Sequence, residues 1–219
     1  MNRNSVSALG LERAARGFSL VELLVGMSLA LMVMTAILSS YTYMGRSLAR
    51  LVNQQSLQSE ARRALAYFAQ DVRMASGLTD TANLSATRVS LTLPTGTGTN
   101  TITYYYNSTA ISGSTTSDAV TVNGTSVSMS REALTRCVYD GTTVTSLTLV
   151  KNITSSGFTF AYYDATGNTY TSYTNYLPGI KQLSFSYTVQ KGDSFNGTQT
   201  LVQQFASPRL ILRNRQFLL

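Results

Sequence analysis

Two periodicities divide the chain. From Phe18 to Gly45 the sequence runs through apolar and small residues whose only formal charge is Glu22. About 20 apolar residues suffice to cross a bilayer as a helix, so residues 18–45 are expected to form a membrane-spanning helical segment. Beyond Gly45 the apolar residues Leu48, Leu51 and Val52, then Ala61, Leu65, Phe68, Val72 and Ala75, recur at spacings of three and four. That spacing puts them on one helical face, with Arg50, Asn53, Gln54, Arg62, Arg63 and Arg73 falling largely elsewhere. No proline interrupts residues 18–76, and Gly77 is a plausible stop. The pattern therefore predicts one helix of nearly 60 residues, on the order of 90 Å long at ~1.5 Å per residue.

From about residue 80 the period falls to two. Segments 89–93, 101–106, 120–122, 158–163 and 183–189 are rich in β-branched and aromatic residues and read as short strands. Turn clusters lie between them at Pro94–Gly98, Asp140–Gly141, Asp164–Asn168 and Lys191–Asp193, and Asn107–Ser117 reads as a polar loop. Strands joined by such turns imply antiparallel pairing. The fold class expected is α+β, a long amino-terminal helix packed on an antiparallel β-sheet head. Its divisions are a membrane segment over 18–45, an amphipathic continuation over 46–77 and a β-rich head over 78–219.

Composition narrows the chemistry. Charged residues make up 12% of the 219 against 43% hydrophobic, a balance that suits a surface protein better than a cytosolic enzyme. The net charge of +7 is dispersed, with no basic block longer than Arg62-Arg63, so nucleic-acid binding is only weakly signalled. No histidine occurs, which excludes imidazole-based catalysis and His-ligated metal. The carboxylates after residue 77 are Asp80, Asp118, Glu132, Asp140, Asp164 and Asp193, and no spacing among them suggests a catalytic pair or a metal site. No cofactor is called for. Cys137, the one cysteine, cannot form an intramolecular disulfide and reads as a small buried apolar residue, with an intermolecular bridge as the alternative. In Tyr104-Tyr105-Tyr106 and Tyr162-Tyr163, strand alternation is expected to bury one ring and expose its neighbour.

Glu22 asks for an explanation, because a carboxylate deep in a bilayer costs roughly 2.5–3.5 kcal/mol on insertion scales. The string Gly17-Phe18-Ser19-Leu20-Val21-Glu22 supplies one if the chain is cut after Gly17, since the cut creates an α-amino group one helical turn from the carboxylate. An ordinary secretory signal fits less well: the apolar stretch is too long and no Ala-x-Ala triplet directly follows it. The string resembles the processing site of type IV prepilins and type II secretion pseudopilins. That resemblance implies a leader of residues 1–17, cleavage between Gly17 and Phe18 by the prepilin peptidase, and N-methylation of Phe18. It also implies that Glu22 attracts the amino terminus of a neighbouring subunit during assembly. The partners implied are the prepilin peptidase, other pilin or pseudopilin subunits, the inner-membrane assembly platform and membrane lipid. The place implied is the inner membrane, with a single crossing and the head outside the cytoplasm, and then a filament.

The order of pieces in the head, from Thr148–Thr154 through Phe158–Asp164 and Ile180–Leu183 to the closing Arg209–Asn214, is similar to PilW-type minor pilins and J-type minor pseudopilins. Major pilins commonly close a carboxy-terminal loop with two cysteines, and major pseudopilins carry a carboxylate-rich calcium loop. One cysteine and a last acidic residue at Asp193 match neither. The resemblance thus implies a pilin-like fold and a non-enzymatic minor subunit that helps assemble or initiate a type IV pilus or a type II secretion pseudopilus. The alternative is a binding module for DNA uptake or adhesion, with Arg209, Arg213 and Arg215 as candidate phosphate or subunit contacts.

Overall fold

The computed structural model describes residues 19–79, 84–96, 98–112, 115–170, 179–192 and 200–212. The chain divides into two compact units, one ending at Ser47 and the other beginning at Leu48. Helix α1 (Leu20–Met74) starts in the first unit and ends in the second. In the first unit every large apolar side chain from Leu20 to Met44 is exposed. No described part of that unit folds back on the helix, and its apolar surface is left for another medium to cover.

The second unit combines the last turns of α1 with antiparallel sheets, so the α+β class is observed. One sheet takes the order β1 (Gly77–Leu78), β2 (Arg88–Thr95), β3 (Gly98–Asn107), β6 (Ala133–Tyr139) and β7 (Val144–Val150). A second takes the order β11 (Thr200–Ala206), β10 (Gln182–Gly192), β8 (Ile153–Tyr163) and β9 (Thr169–Tyr170), with β12 (Leu210–Ile211) also pairing β10. Strands β4 (Ser117–Val122) and β5 (Thr125–Ser130) form a separate hairpin. All of these pairings are antiparallel.

The core forms where the two larger sheets meet α1. Phe68 is 1% exposed and lies edge-on to Tyr104 of one sheet at 5.2 Å and to Phe185 of the other at 4.9 Å. The sheets are also joined directly, by Phe160 N–H donating to the Ala86 carbonyl and by the Tyr162 hydroxyl against the Ser85 and Arg88 carbonyls, both at 2.9 Å. The first sheet is covered on both faces. Residues Leu134 and Arg136 of β6 turn toward the helix side, while Cys137, the next residue along the strand, packs with Val122 and Met129 of the β4–β5 hairpin. Cys137 is fully buried, as expected for a small apolar side chain.

Several expectations need correction. The helix ends at Met74, and Gly77 is neither its cap nor in the left-handed region: Ser76 N–H donates to the Thr92 carbonyl, and Gly77 and Leu78 pair with Thr92 and Leu91. Beta-sheet partners capture the backbone there before a cap is needed. The buried stripe is Leu57, Ala64, Phe68, Asp71, Val72 and Ala75, whereas Leu48, Leu51 and Val52 are 54–62% exposed. Helical spacing says which side of the rod is apolar, not whether anything covers it. Lys191 and Gly192 belong to strand β10 and pair with Leu201 and Thr200, and β2 and β3 extend into the Pro94–Gly98 turn cluster.

Gly157 is required sterically. Between Ile153 and Phe158, β8 bulges away from β10, and a Cβ at Gly157 would run into the Thr154 side chain and come within 3.1 Å of the Thr188 carbonyl. Bulges of this kind increase local twist and end regular pairing.

Candidate functional site

The Gly17–Glu22 string straddles the first described residue. Gly17 and Phe18 lie outside the described residues, which begin at Ser19, whose carbonyl accepts the Leu23 N–H at 3.1 Å. Glu22 is in the first turn of α1. A carboxylate there faces the unsatisfied N–H groups and the positive end of the helix dipole, which favour it. Glu22 is exposed, and among the described residues no cation pairs with it. The geometry leaves this carboxylate available to an ammonium from outside the segment.

The helix that follows is long and apolar enough to cross a membrane, by length and composition. Its polar side chains are handled locally. The hydroxyls of Ser28, Thr35 and Thr42 donate to the carbonyls of Val25, Met32 and Ser39 at 2.8, 2.8 and 2.9 Å. In lipid, where no water satisfies a hydroxyl, such bonds remove the cost of an unpaired donor.

Residues 13–38 match the family model of the prokaryotic N-terminal methylation motif. The motif supports a place among the type IV pilin-like proteins and implies a prepilin-like chain processed by prepilin peptidase. It supports a pilin-type structural subunit anchored in the membrane by its apolar helix. No curated relative and no solved structure matches the chain.

Of the three arginines at the carboxy-terminal end, only Arg209 is among the described residues; Arg213 and Arg215 lie outside them. Arg209 sits between β11 and β12 with its guanidinium 4.1 Å from the centre of the Tyr163 ring, and Nη1 donates to the Gly167 carbonyl at 3.4 Å. It clamps the β8–β9 turn, an engagement that strand reading did not anticipate. Three of the described head carboxylates are similarly occupied, while Asp80 and Asp193 lie outside the described residues. Asp118 accepts from Arg131 Nε at 2.8 Å and Nη2 at 2.6 Å, and those bonds hold it below the ordinary carboxylate range. Asp140 is held well below that range by the amides and hydroxyls of Thr143 and Thr142, and Asp164 is lowered by Thr166 and Asn168 within its own turn. These three carboxylates stabilise turns and a hairpin.

The polar feature that sequence reading missed is Asp71. It is 1% exposed within the apolar stripe and accepts hydrogen bonds from the Tyr104 hydroxyl at 2.6 Å and from Arg136 Nε at 2.7 Å and Nη2 at 3.0 Å. Tyr104 and Arg136 are cross-strand neighbours on β3 and β6, so pairing delivers both to one carboxylate. The Arg136 guanidinium also lies 5.3 Å from the Tyr67 ring centre. Burial, and then the Asp71 charge, push the Tyr104 phenol far above its ordinary range, so it donates its proton and keeps it. The available signal was an Asp one turn from Phe68 on a face otherwise Leu, Ala and Val. As expected from alternation, Tyr104 and Tyr106 are buried with Tyr105 between them only half-buried, and Tyr162 is buried while Tyr163 remains accessible to Arg209.

Proposed function

We propose that this chain is a minor pilin-like structural subunit. It is cleaved between Gly17 and Phe18, N-methylated on Phe18 by prepilin peptidase, and takes part in assembling or initiating a type IV pilus or a type II secretion pseudopilus. The observation that carries this reading is the methylation motif across residues 13–38, which brackets Gly17 to Glu22 and runs into an exposed apolar helix. Before assembly the helix anchors the subunit in the inner membrane, with the head outside the cytoplasm.

The chemistry follows from the cut. Hydrolysis of the Gly17–Phe18 peptide bond leaves a carboxylate on the leader and an ammonium on Phe18, and methylation of that nitrogen preserves its charge. In the filament the ammonium of one subunit meets Glu22 of a neighbour, where the low dielectric strengthens the attraction while desolvation opposes it. The pair therefore sets register and recruitment more than stability. Glycine at position 17 leaves the scissile backbone open to close approach by the peptidase.

Intact-mass measurement on protein extracted from membranes tests the reading. The expected species lacks residues 1–17 and carries one added methyl group, and a host without prepilin peptidase yields the uncut chain. An uncut chain in the normal host, or a cut at another bond, would refute it.

A further inference from the structure

The second sheet ends on a strand edge built to accept another. In the order β11-β10-β8-β9, β11 is terminal, and no described strand pairs with its outer edge. Its sequence, Thr200-Leu-Val-Gln-Gln-Phe-Ala206, holds no charge, proline or glycine. Charges and prolines are usual devices that stop an exposed edge from recruiting a strand. Val202 is 56% exposed on its outward face.

Beside this edge, α1 and the sheet leave a cleft of about 350 Å³. Ala61, Arg62 and Leu65 form its helix wall, and Phe185, Tyr187 and Phe205 form its sheet wall. The Tyr187 hydroxyl is buried and has no hydrogen-bond partner among the described residues, in a side chain 2% exposed. Gln203 Oε1, two residues along β11 from Phe205, is in the same condition. Arg62 is the only charged side chain lining the cleft, and no described group pairs with it.

We propose that this cleft and the β11 edge together bind an extended, carboxylate-bearing segment of another polypeptide, which adds a strand to the sheet. A helix would leave the edge N–H and C=O groups unpaired, whereas a strand satisfies them and turns alternate side chains into the cleft. An apolar side chain rests on Ala61, Leu65 and Phe205, and a carboxylate meets Arg62. The chain carries 17 Lys and Arg against 10 Asp and Glu, so an acidic segment from a different polypeptide is the better complement than a second copy.

The test uses the full chain in detergent, with amide hydrogen exchange read along residues 201–206. The probes are a short peptide alternating valine and threonine with one central glutamate, and its counterpart with lysine in place of glutamate. The glutamate peptide is expected to slow exchange along β11 by roughly tenfold or more at saturation, as a newly paired edge should, and the lysine peptide much less. Arg62→Glu, on an exposed helix position, should reverse that preference. No slowing by either peptide overturns the proposal, as does equal slowing by both whatever stands at position 62. Slowing that rises with protein concentration in the absence of peptide assigns the edge to a second copy and overturns it too.

Discussion

Asp71 and Arg136, 65 residues apart in the chain, meet in a two-pronged ion pair of 2.7 and 3.0 Å. The Asp71 side chain is 2% exposed and that of Arg136 18%, so losing either partner leaves a largely buried charge. Breaking such a pair leaves an uncompensated buried charge, whereas replacing both ends with apolar groups of similar size can be nearly neutral. Asp71→Ala should therefore destabilise the protein by about 3 kcal/mol, with the Tyr104 hydroxyl losing its acceptor as well. The double variant Asp71→Leu, Arg136→Met should recover most of the loss. Urea denaturation of the full chain in detergent measures both, and a double variant as unstable as the single one would contradict the account.

Alkaline pH offers a second handle. Burial, and then the Glu132 charge, push the Tyr106 phenol up to about 12, and burial drives Tyr187 in the same direction. A tyrosine in the unfolded chain loses its proton near pH ~10. The folded state therefore binds this proton more tightly: the contribution is complete below pH ~10 and drains as pH rises from there toward 12. Tyr106→Phe should lower stability near neutrality by about 1 kcal/mol, because its hydroxyl donates to the Thr154 carbonyl at 2.7 Å. The same variant should show a shallower loss above pH ~10. Denaturation midpoints across the alkaline range give both numbers.

Thiol chemistry reports on the β4–β5 hairpin. Cys137 is 0% exposed, and burial pushes its thiol up from 9.0 to about 11. A thiol that gives up its proton so late holds about 100-fold less of the reactive thiolate than an ordinary one at any pH below ~9. Iodoacetamide should leave Cys137 unlabelled in the folded protein and modify it at once in denaturant. Met129→Ala, which opens the packing over Cys137, should restore labelling without global unfolding.

The role proposed for Glu22 separates processing from assembly. Glu22→Ala should be cut, methylated and retained in the membrane, yet be depleted from filaments at least tenfold, since each ~1.4 kcal/mol of lost pairing is a factor of ten. Quantitative blotting of sheared filaments against membrane fractions makes the comparison. Incorporation equal to that of the unchanged chain would remove the pairing mechanism while leaving the cleavage reading intact.

The chain's own order of residues determined the amino-terminal segment. Its Gly17–Glu22 string is contiguous, and an apolar run with one charge is recognised by length and composition alone, without a tertiary partner. The α+β class and the alternation of buried and accessible rings in Tyr104–Tyr106 and Tyr162–Tyr163 were legible for a related reason: alternation along a strand is a local property, though it does not say which ring is buried. Strands β5, β6, β7 and β11 were not legible. β5 and β7 are rich in Ser and Thr, and β6 and β11 mix polar and apolar residues without clean alternation; all four become strands because neighbours complete their hydrogen bonds, and no local pattern names those neighbours.

Tertiary structure alone decided where the covered part of α1 begins, at Leu57 and not at Leu48, because burial depends on what lies opposite a face. It alone brought Asp71, Tyr104 and Arg136 to one point, since strand pairing sets β3 and β6 side by side and the helix crosses them. It also drew Arg209 onto Tyr163 and left the cleft beside β11 open. These are relations between residues far apart in sequence, fixed by register and packing, and no reading along the chain contains them.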